Sequence, residues 1–159
     1  MSKYREVVIN ACFGGFSLSK KAIARMAELQ GRTAYFFTNA PRNLHEYISI
    51  TVDSDDDLFF MAFDIPNPNE VLADRQDWHE MSDDEKKVSN ALYWKHSFGW
   101  GRGIKRDDPL LLRVVKELGN AANGSVAKLK IVKIPIDVKW HIEEYDGNEH
   151  IAEDHEVWS

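Results

Sequence analysis

The sequence contains a single cysteine, Cys12, which excludes an internal disulfide and indicates a reducing compartment. It contains no run of about 18 apolar residues, the length that a membrane-spanning helix requires. The polar segment 1–6 lacks the apolar stretch of a secretion signal. The net charge of −6 argues against broad, sequence-independent binding of nucleic acid or anionic lipid. We therefore expect a cytoplasmic protein without a membrane partner.

What the chain does contain is the composition of an ordinary globular protein, with 43% hydrophobic and 29% charged residues. Its 159 residues fit one domain, and a chain of this length buries enough apolar surface to fold without disulfides. The charge is unevenly distributed, because residues 53–85 are strongly acidic. Residues 95–106, in contrast, carry Lys95, Arg102, Lys105 and Arg106. A local anion site in this second region is consistent with the negative net charge.

The first part of the chain predicts a strand, a helix and a second strand. Residues 5–13 form an apolar run typical of a strand buried on both faces, with Asn10 as the polar interruption. Gly14-Gly15 ends this strand, and Ser19 is suited to cap a helix. Apolar residues at helical spacing mark the helix: Ala22, Ile23, Met26, Ala27 and Leu29. Gly31 marks its end, and residues 33–38 form the next strand.

The middle of the chain predicts a hairpin, an irregular segment and a helix. Residues 48–52 and 58–63 are rich in β-branched and aromatic residues and are expected to pair. Residues 66–81 have no clear period and are expected to form an inserted loop or flap. Residues 82–85 match a capping box. The helix that follows is expected to turn three apolar residues inward: Val88, Ala91 and Leu92.

The last part predicts one more helix and three strands. Asp108-Pro109 provides a cap followed by proline at the first helical position. Four residues of this helix have inward spacing, namely Leu111, Val114, Val115 and Leu118. Residues 129–134, 138–142 and 149–153 are predicted strands, and Asp146-Gly147 before the third is a turn typical of hairpins. Altogether we expect an α+β fold in a single compact domain, 1–159, with a mixed sheet of about five to seven strands and three main helices. Residues 32–102 are a possible insertion or elaboration.

The first candidate site is the Asn10–Ser19 junction, where the first strand breaks before a helix. The amino end of a helix presents unpaired N–H groups and a positive dipole, which favour phosphate or carboxylate. Gly14 and Gly15 allow close approach to the backbone, and Ser17 adds a hydroxyl donor. The spacing matches neither a Walker loop nor a dinucleotide fingerprint. The alternative is a tight turn followed by an ordinary serine cap.

The second candidate site is the glycine-rich segment 98–106. Trp100 offers a stacking face, and Arg102 and Arg106 offer charges that pair with phosphate. A nucleotide or a single-stranded segment would use these groups. The alternative is a solvated basic loop in which Trp100 covers the core.

An enzyme is a rival hypothesis. Cys12 near a helix start has the position of an activated thiol, and Asp108 and Glu144 with a histidine are candidates for phosphoester hydrolysis. No recognisable set of nucleophile, base and orienting group accompanies them. A small core residue is the alternative for Cys12.

Metal sites are not expected. His150 and His155 with Glu149 and Glu153 lack zinc-site spacing and are interpreted as surface residues. Aspartates alternate as in a calcium loop at Asp53, Asp55, Asp57 and Asp64, but Leu58 replaces the required glycine. We interpret them as an acidic hairpin tip, and no cofactor is predicted.

Three segments together resemble a family of small hypothetical proteins common in tailed-bacteriophage genomes. They are INACFGGFSLS at 9–19, RDDPL at 106–110 with VV at 114–115 and ELG at 117–119, and WHIEEYDGNE at 140–149. The resemblance covers roughly the first 30 and the last 55 residues, and it implies an accessory protein acting in the cytoplasm of an infected cell. It carries no catalytic residue. Its motif positions imply a shared site at Asn10, Gly14, Gly15, Arg106, Asp108, Glu144, Tyr145 and Asp146.

The sequence hypothesis is a non-enzymatic protein that binds a small anionic ligand, such as a nucleotide or a nucleotide-derived signal. Gly14-Gly15 would hold phosphate, Arg102 and Arg106 would neutralise it, and Trp100 or Tyr145 would stack on the base. The remaining ligand contacts would come from Asn10, Ser17 and Glu144. Two alternatives stay open besides the enzyme: a module that binds a host protein through residues 53–85, and a homodimer formed through the exposed aromatic loop.

Overall fold

The computed structural model describes residues 3–54, 60–72, 79–98 and 104–154, with residues 43–45 described by their backbone alone. Within these residues there are seven strands: β1 (Tyr4–Asn10), β2 (Tyr35–Ala40), β3 (Asn43–Ile50), β4 (Met61–Phe63), β5 (Leu129–Pro135), β6 (Trp140–Tyr145) and β7 (Asn148–Glu153). The helices are α1 (Lys20–Leu29), α2 (Pro68–Val71), α3 (Asp83–His96) and α4 (Pro109–Leu118), with a 3₁₀ turn at Gly119–Ala122. No described helix has the length and apolar character needed to cross a membrane.

The α+β class is confirmed, with a strand count in the predicted range. The strands form three small antiparallel sheets, β1-β5, β3-β2-β4 and β6-β7, where the sequence predicted one mixed sheet. The chain also divides into two compact units, Met1–Ala22 with Trp100–Ser159, and Ile23–Gly99. We call these unit 1 and unit 2. The second unit overlaps the segment 32–102 that was expected to be an insertion, but it begins within α1.

Unit 1 is built on the antiparallel pairing of β1 with β5. Four consecutive residues of β1 are buried, from Val7 to Asn10, so both faces of this strand are covered as predicted. Val7, Ile9 and Ile134 form a core cluster. The β6-β7 hairpin packs on this cluster through partly buried Trp140, Ile142 and Ile151. Asp146 and Gly147 both have positive φ, 50° and 83°, which confirms the predicted hairpin turn.

Unit 2 contains an aromatic core between the β3-β2-β4 sheet and its helices. Phe37, Phe63 and Leu72 are its buried members, and Leu92 of α3 packs against them. The predicted hairpin between residues 48–52 and 58–63 is wrong, because β2 lies between β3 and β4 and pairs with both. The pairing places Phe36 and Phe37, on opposite faces of β2, in the middle of the sheet, where both are buried.

The helix boundaries follow the capping residues. Ser82 and Glu85 form the predicted capping box at the start of α3, with each side chain bonded to the other's backbone N–H. Asp108 caps α4 by accepting from the backbone N–H of Leu110 at 2.8 Å. The prediction that α3 turns Val88 inward is wrong, because this side chain is 62% exposed.

We expect the Asp108→Ala variant to lower the free energy of unfolding by about 1 kcal/mol, because the first turn of α4 loses its acceptor. Urea denaturation followed by circular dichroism measures this difference. Asp107→Ala is the matched control. Asp107 is exposed and adjacent to the cap, so this substitution removes the same charge without removing the capping acceptor. Equal effects of the two substitutions would show that charge, and not capping, stabilises this helix.

Candidate functional site

Asn10 organises the junction that the sequence singled out. Its side chain is fully buried at the end of β1. The amide nitrogen Nδ2 donates to the carbonyl oxygens of Cys12 at 2.8 Å and Gly147 at 2.7 Å, and Oδ1 accepts from the backbone N–H of Lys128 at 2.8 Å. A buried amide with both ends bonded is satisfied. Asn10 therefore joins β1 to the β6-β7 turn and to the start of β5.

Arg106 and Glu149 form a bidentate ion pair in the same region. The two guanidinium nitrogens donate to the two carboxylate oxygens at 2.7 and 2.8 Å. The Glu149 carboxylate also accepts from the backbone N–H of Asn10 at 2.7 Å, and its side chain is 8% exposed. The guanidinium lies 3.5 Å from the ring centre of Phe16. We call this arrangement the Arg106–Glu149 pair.

Close backbone contact explains Gly14 and Gly147, whereas Gly15 is explained by its positive φ of 98°. Gly14 has φ 132°, and a side chain there would collide with the backbone of Val126. A side chain at Gly147 would collide with the backbone of Gly15. The N–H of Gly14 donates to the carbonyl oxygen of Asp146 at 3.2 Å. These glycines allow the junction to pack against the β6-β7 turn.

Most of the groups at the junction that the sequence predicted to bind an anion are therefore bonded to other groups of the protein. The guanidinium of Arg106 already has a carboxylate partner, and α1 begins at Lys20 with Ser19 Oγ accepting from the N–H of Ala22. The hydroxyl of Ser17 is buried without a hydrogen-bond partner among the described residues and lies against Gly124.

Of the other predicted ligand residues, two are exposed and two lie outside the residues that the structure describes. Trp100 and Arg102 lie outside the described residues. Glu144 is exposed on β6, and Tyr145 is 78% exposed with its ring edge-to-face to Phe13, at 6.4 Å between centres. Tyr145 remains accessible to a ligand, and Asn10, Gly14, Gly15 and Arg106 form the structure beneath it.

The residues of the enzyme hypothesis also have structural partners. The Cys12 thiol donates to the carbonyl oxygen of Val126 at 3.2 Å and lies 3.4 Å from Asn10 Oδ1. No described histidine is hydrogen-bonded to it. Asp108 caps α4. Among the described residues, neither Cys12 nor Asp108 belongs to a nucleophile–base arrangement.

A polar cleft that the sequence did not indicate lies at the opposite end of β1. Its volume is about 330 Å³, and we call it the Arg5 cleft. Its lining comes from the start of β1 and from the segment that joins β5 to β6, with one residue after β7: Arg5, Ile136, Asp137, Val138, Lys139, Trp140 and Asp154. All of these residues belong to unit 1.

Two cations line this cleft, Arg5 and Lys139, and neither has an ion-pair partner among the described residues. The Nη2 group of Arg5 donates to the carbonyl oxygen of Ile136 at 3.1 Å. Its Nε is buried and has no hydrogen-bond partner in the part of the chain that the structure describes. Lys139 is exposed, and no described carboxylate lies within ion-pair distance of either cation. A buried donor without an acceptor costs about 1–3 kcal/mol, so an anion that filled this position would be stabilised.

Trp140 and two carboxylates complete the cleft. One side of the Trp140 side chain packs against the Val7, Ile9 and Ile134 cluster, and the residue also lines the cleft. Asp137 is exposed, whereas Asp154 faces the imidazole of His141. The cleft thus offers donors for an anionic group, an aromatic surface for a planar group and an acceptor for amino groups.

The sequence alone did not reveal this cleft because its residues are far apart in the chain. The signal it does carry is Arg5 shortly before the apolar run at residues 7–9, and Lys139 beside Trp140. Only the register of β1 against β5, which pairs Tyr4 with Pro135, brings Arg5 next to residues 136–140. That register depends on pairing over about 130 residues, which local patterns do not specify.

A cluster of histidines and carboxylates lies on the exposed β6-β7 hairpin beside the cleft. His141 contacts Asp154 through Nδ1 and Glu143 through Nε2, the latter at 2.9 Å, and His150 Nε2 lies 3.1 Å from Glu143. The hydrogen bonds of His141 to Glu143 and then to Asp154 raise the pKa of His141. The hydrogen bonds from His141 and then His150 lower the pKa of Glu143.

This cluster differs from the histidine group that the sequence considered. Glu149 pairs with Arg106, His150 pairs with Glu143, and His155 lies outside the described residues. No group of described residues has the geometry to hold a metal ion.

Asp64, the last position of the calcium-loop pattern in the sequence, also has partners within the protein. Asp64 accepts from Arg32 at 3.0 Å and faces His96 Nδ1 at 2.8 Å in unit 2. Burial raises the pKa of Asp64, but the hydrogen bonds from His96 and Arg32 outweigh burial and hold that pKa below its ordinary value. Asp55 and Asp57 lie outside the described residues.

Comparison with known proteins identifies no relative: no family model, curated protein or solved structure matches the chain.

We expect Glu149→Ala to lower the free energy of unfolding by about 3 kcal/mol, because it leaves the Arg106 guanidinium and the Asn10 N–H without their acceptor in a mostly buried position. Glu6→Ala is the matched control. It removes one carboxylate from the more exposed Lys116–Glu6 pair of the same unit, and we expect a loss of less than about 1 kcal/mol. Urea denaturation of both variants measures the difference, and equal losses would contradict a structural role for the Arg106–Glu149 pair.

We expect the histidine cluster to stabilise the hairpin over a limited pH range. The contribution of His141, whose pKa is raised, is complete below its ordinary pKa and lost as pH rises through the raised value. The contribution of Glu143, whose pKa is lowered, is present above its ordinary pKa and lost as pH falls through the lowered value. The cluster is therefore strongest between these two limits.

Titration of the His141 ring protons by NMR measures this shift. Glu143→Gln should move the midpoint of His141 back towards the ordinary pKa of histidine, whereas Glu6→Gln should leave it unchanged. A midpoint that does not respond to Glu143→Gln would show that the hydrogen bond at Nε2 does not set the pKa.

Proposed function

We propose that this chain is a non-enzymatic binding protein for a small anionic ligand, such as a nucleotide or a nucleotide-derived signal, and that the ligand occupies the Arg5 cleft. The observation that carries the proposal is the buried Nε of Arg5, a cationic donor without an acceptor among the described residues. Buried polar groups of folded proteins nearly always have partners, so an unpaired guanidinium donor in a cleft supports a bound anion.

The chemistry of the lining supports a ligand with an anionic and a planar part. Arg5 carries guanidinium donors of the type that pair with phosphate or carboxylate, with Nη2 bonded to the carbonyl of Ile136, and Lys139 adds a second positive charge. The indole of Trp140 offers a surface for a planar ring. The carboxylate of Asp137 would accept hydrogen bonds from an exocyclic amino group. A nucleotide of adenine, guanine or cytosine carries all three complementary groups.

The dimensions support a small ligand. A cleft of about 330 Å³ lies at the lower end of the range for small-molecule sites, which begins at about 300 Å³. This volume favours a single nucleotide over a chain of several. It agrees with the net charge of −6, which disfavours extended contact with nucleic acid.

The absence of a reactive arrangement among the described residues favours binding over turnover. The Cys12 thiol and the Asp108 carboxylate already have structural partners, and Glu144 is an exposed carboxylate without a described base beside it. Positioned acids, bases or nucleophiles are what catalysis requires. We therefore infer a stoichiometric complex.

The resemblance to small phage proteins supplies a biological setting for this proposal. An accessory protein in the cytoplasm of an infected host cell would act by sequestering a nucleotide signal of host defence. A host protein as partner and a homodimer remain the alternatives to a small ligand.

We expect a nucleotide panel to contain at least one compound that raises the melting temperature and binds with one-to-one stoichiometry by calorimetry. Arg5→Met and Lys139→Met keep the apolar part of each side chain and remove its charge. Each should weaken binding by at least about tenfold, since a hydrogen bond to a charged group contributes about 1.5–3 kcal/mol. Lys130→Met removes one exposed lysine from β5 outside the cleft and should have no such effect.

Tyr145→Ala distinguishes the Arg5 cleft from the junction. Loss of binding in this variant alone would place the ligand on the exposed ring of Tyr145, as the sequence predicted. Loss in the Arg5 and Lys139 variants alone would support the cleft. Chemical conversion of the ligand would turn the conclusion towards an enzyme, and the lack of any stabilising compound, together with no ligand mass in native mass spectrometry, would contradict the proposal.

A further inference from the structure

A second surface, in unit 2, has chemistry opposite to that of the Arg5 cleft. It is a groove of about 490 Å³ between α2 and α3, which we call the α2–α3 groove. Apolar side chains form most of its lining, with acidic side chains beside them: Glu70, Val71, Leu72, Met81, Asp84, Glu85, Val88, Ser89 and Leu92. All of these residues lie within Ile23–Gly99.

Both helices of the groove are fixed to the rest of unit 2. The side chain of Asn69 in α2 bonds the backbone N–H and carbonyl of Tyr47 in β3, each at 2.9 Å. The C-terminal end of α3 is bonded to β4, since the N–H of Asp64 donates to the carbonyl of His96 at 2.8 Å. Leu72 and Leu92 pack into the aromatic core. A pre-formed groove of this kind binds a partner with little ordering cost.

The groove exposes apolar side chains that the helix pattern would bury. Val88 is 62% exposed and Val71 is 37% exposed, although Val88 lies on the face of α3 that the sequence predicted to be inward. Apolar surface that is concave and rimmed by polar residues is typical of interaction sites. An apolar segment in the groove would remove both valines from water.

Among the residues that the structure describes, every charged side chain that lines the groove is acidic. Glu70 and Glu85 are held in place, because Glu70 accepts from Asn67 at 2.8 Å and Glu85 accepts from the N–H of Ser82 at 3.2 Å. Asp84 lies beside Glu85 in the first turn of α3. No lysine or arginine is found among the described lining residues. Positive charge on an occupant would therefore be attracted, and a second acidic copy of this chain would be repelled.

We propose that the α2–α3 groove binds a basic amphipathic helix of a protein partner. Apolar side chains at i, i+3, i+4 and i+7 of that helix would contact Val71, Met81 and Val88. Lysine or arginine on its flanks would pair with Glu70, Asp84 and Glu85. The inference goes beyond the proposed function, since it concerns another unit of the protein and a macromolecular partner.

Three synthetic helical peptides with the same leucine face test the proposal. Their polar faces consist of lysine, glutamine or glutamate, and a fourth peptide has the composition of the lysine peptide in an order that is not amphipathic. We expect fluorescence anisotropy with the full-length protein to show binding of the lysine peptide, at least about tenfold weaker binding of the glutamine peptide, and none of the others. Added salt should weaken the complex.

Variants of the protein separate the groove from general acidity. Val88→Ser changes an exposed side chain and should weaken binding of the lysine peptide several-fold. Glu85→Gln keeps the capping box, because glutamine is also accepted at that position, and should weaken binding by removing one rim charge. Asp83→Asn is the matched control, since it removes a charge from the same helical turn outside the lining.

The outcomes that overturn the proposal are distinct. Equal binding of the non-amphipathic peptide, or equal effects of Asp83→Asn and Glu85→Gln, would show non-specific attraction to an acidic protein. Sedimentation velocity that shows a dimer, lost in Val88→Ser, would assign the groove to a second copy of this chain. No binding of the lysine peptide would overturn the proposal outright, and none of these results bears on the nucleotide panel.

Discussion

The geometry of unit 1 depends on the hydrogen bonds that the carboxylate of Glu149 accepts. This carboxylate accepts from the N–H of Asn10 and from both terminal nitrogens of Arg106, and it is almost fully buried. Because β1, β7 and the segment before α4 each contribute one of these groups, the pair fixes three parts of the chain against one another. A charge buried in this way is tolerated only when its partners are complete. The side chain of Asn10 extends the same network to the β6-β7 turn and the start of β5.

The contrast between the junction and the Arg5 cleft follows from this completeness. At the junction, the Arg106 guanidinium, the Glu149 carboxylate and the Asn10 amide satisfy one another, and only the neutral hydroxyl of Ser17 has no partner among the described residues. These residues, which resemble a phosphate site, therefore act as a structural connection. At the other end of β1, Arg5 has a buried nitrogen with no described acceptor. The same two residue types, arginine and a nearby aromatic, occur in both places, since Arg106 lies over Phe16 and Arg5 shares a cleft with Trp140. What separates them is whether the protein itself supplies the anion.

The sequence predicted the features that are set locally and missed those set by pairing over long distances. The Ser82–Glu85 capping box, the Asp108-Pro109 helix start and the Asp146-Gly147 turn each depend on a few neighbouring residues, and each is present. The pairing of β2 with both β3 and β4 was not predicted, because a central strand is recognised only from its neighbours. The same reason applies to the site: convergence of Asn10, Arg106 and the β6-β7 turn was expected, but Glu149 as the acceptor for Arg106 was not. Glu149 lies on β7 and reaches Arg106 and Asn10 only because the β6-β7 hairpin packs on β1.

Asp154 connects the charge of the hairpin to that of the cleft. It lines the Arg5 cleft and also faces Nδ1 of His141, whose other ring nitrogen faces Glu143. Only the protonated imidazole donates to both carboxylates, so the raised pKa of His141 is the electrostatic consequence of their proximity. While His141 is protonated, its positive charge offsets the negative charge of Asp154, which also lines the Arg5 cleft. When His141 loses its proton, the charge of Asp154 is no longer offset by the imidazole. By linkage, an anion bound in the Arg5 cleft, as proposed above, and protonation of His141 would each favour the other.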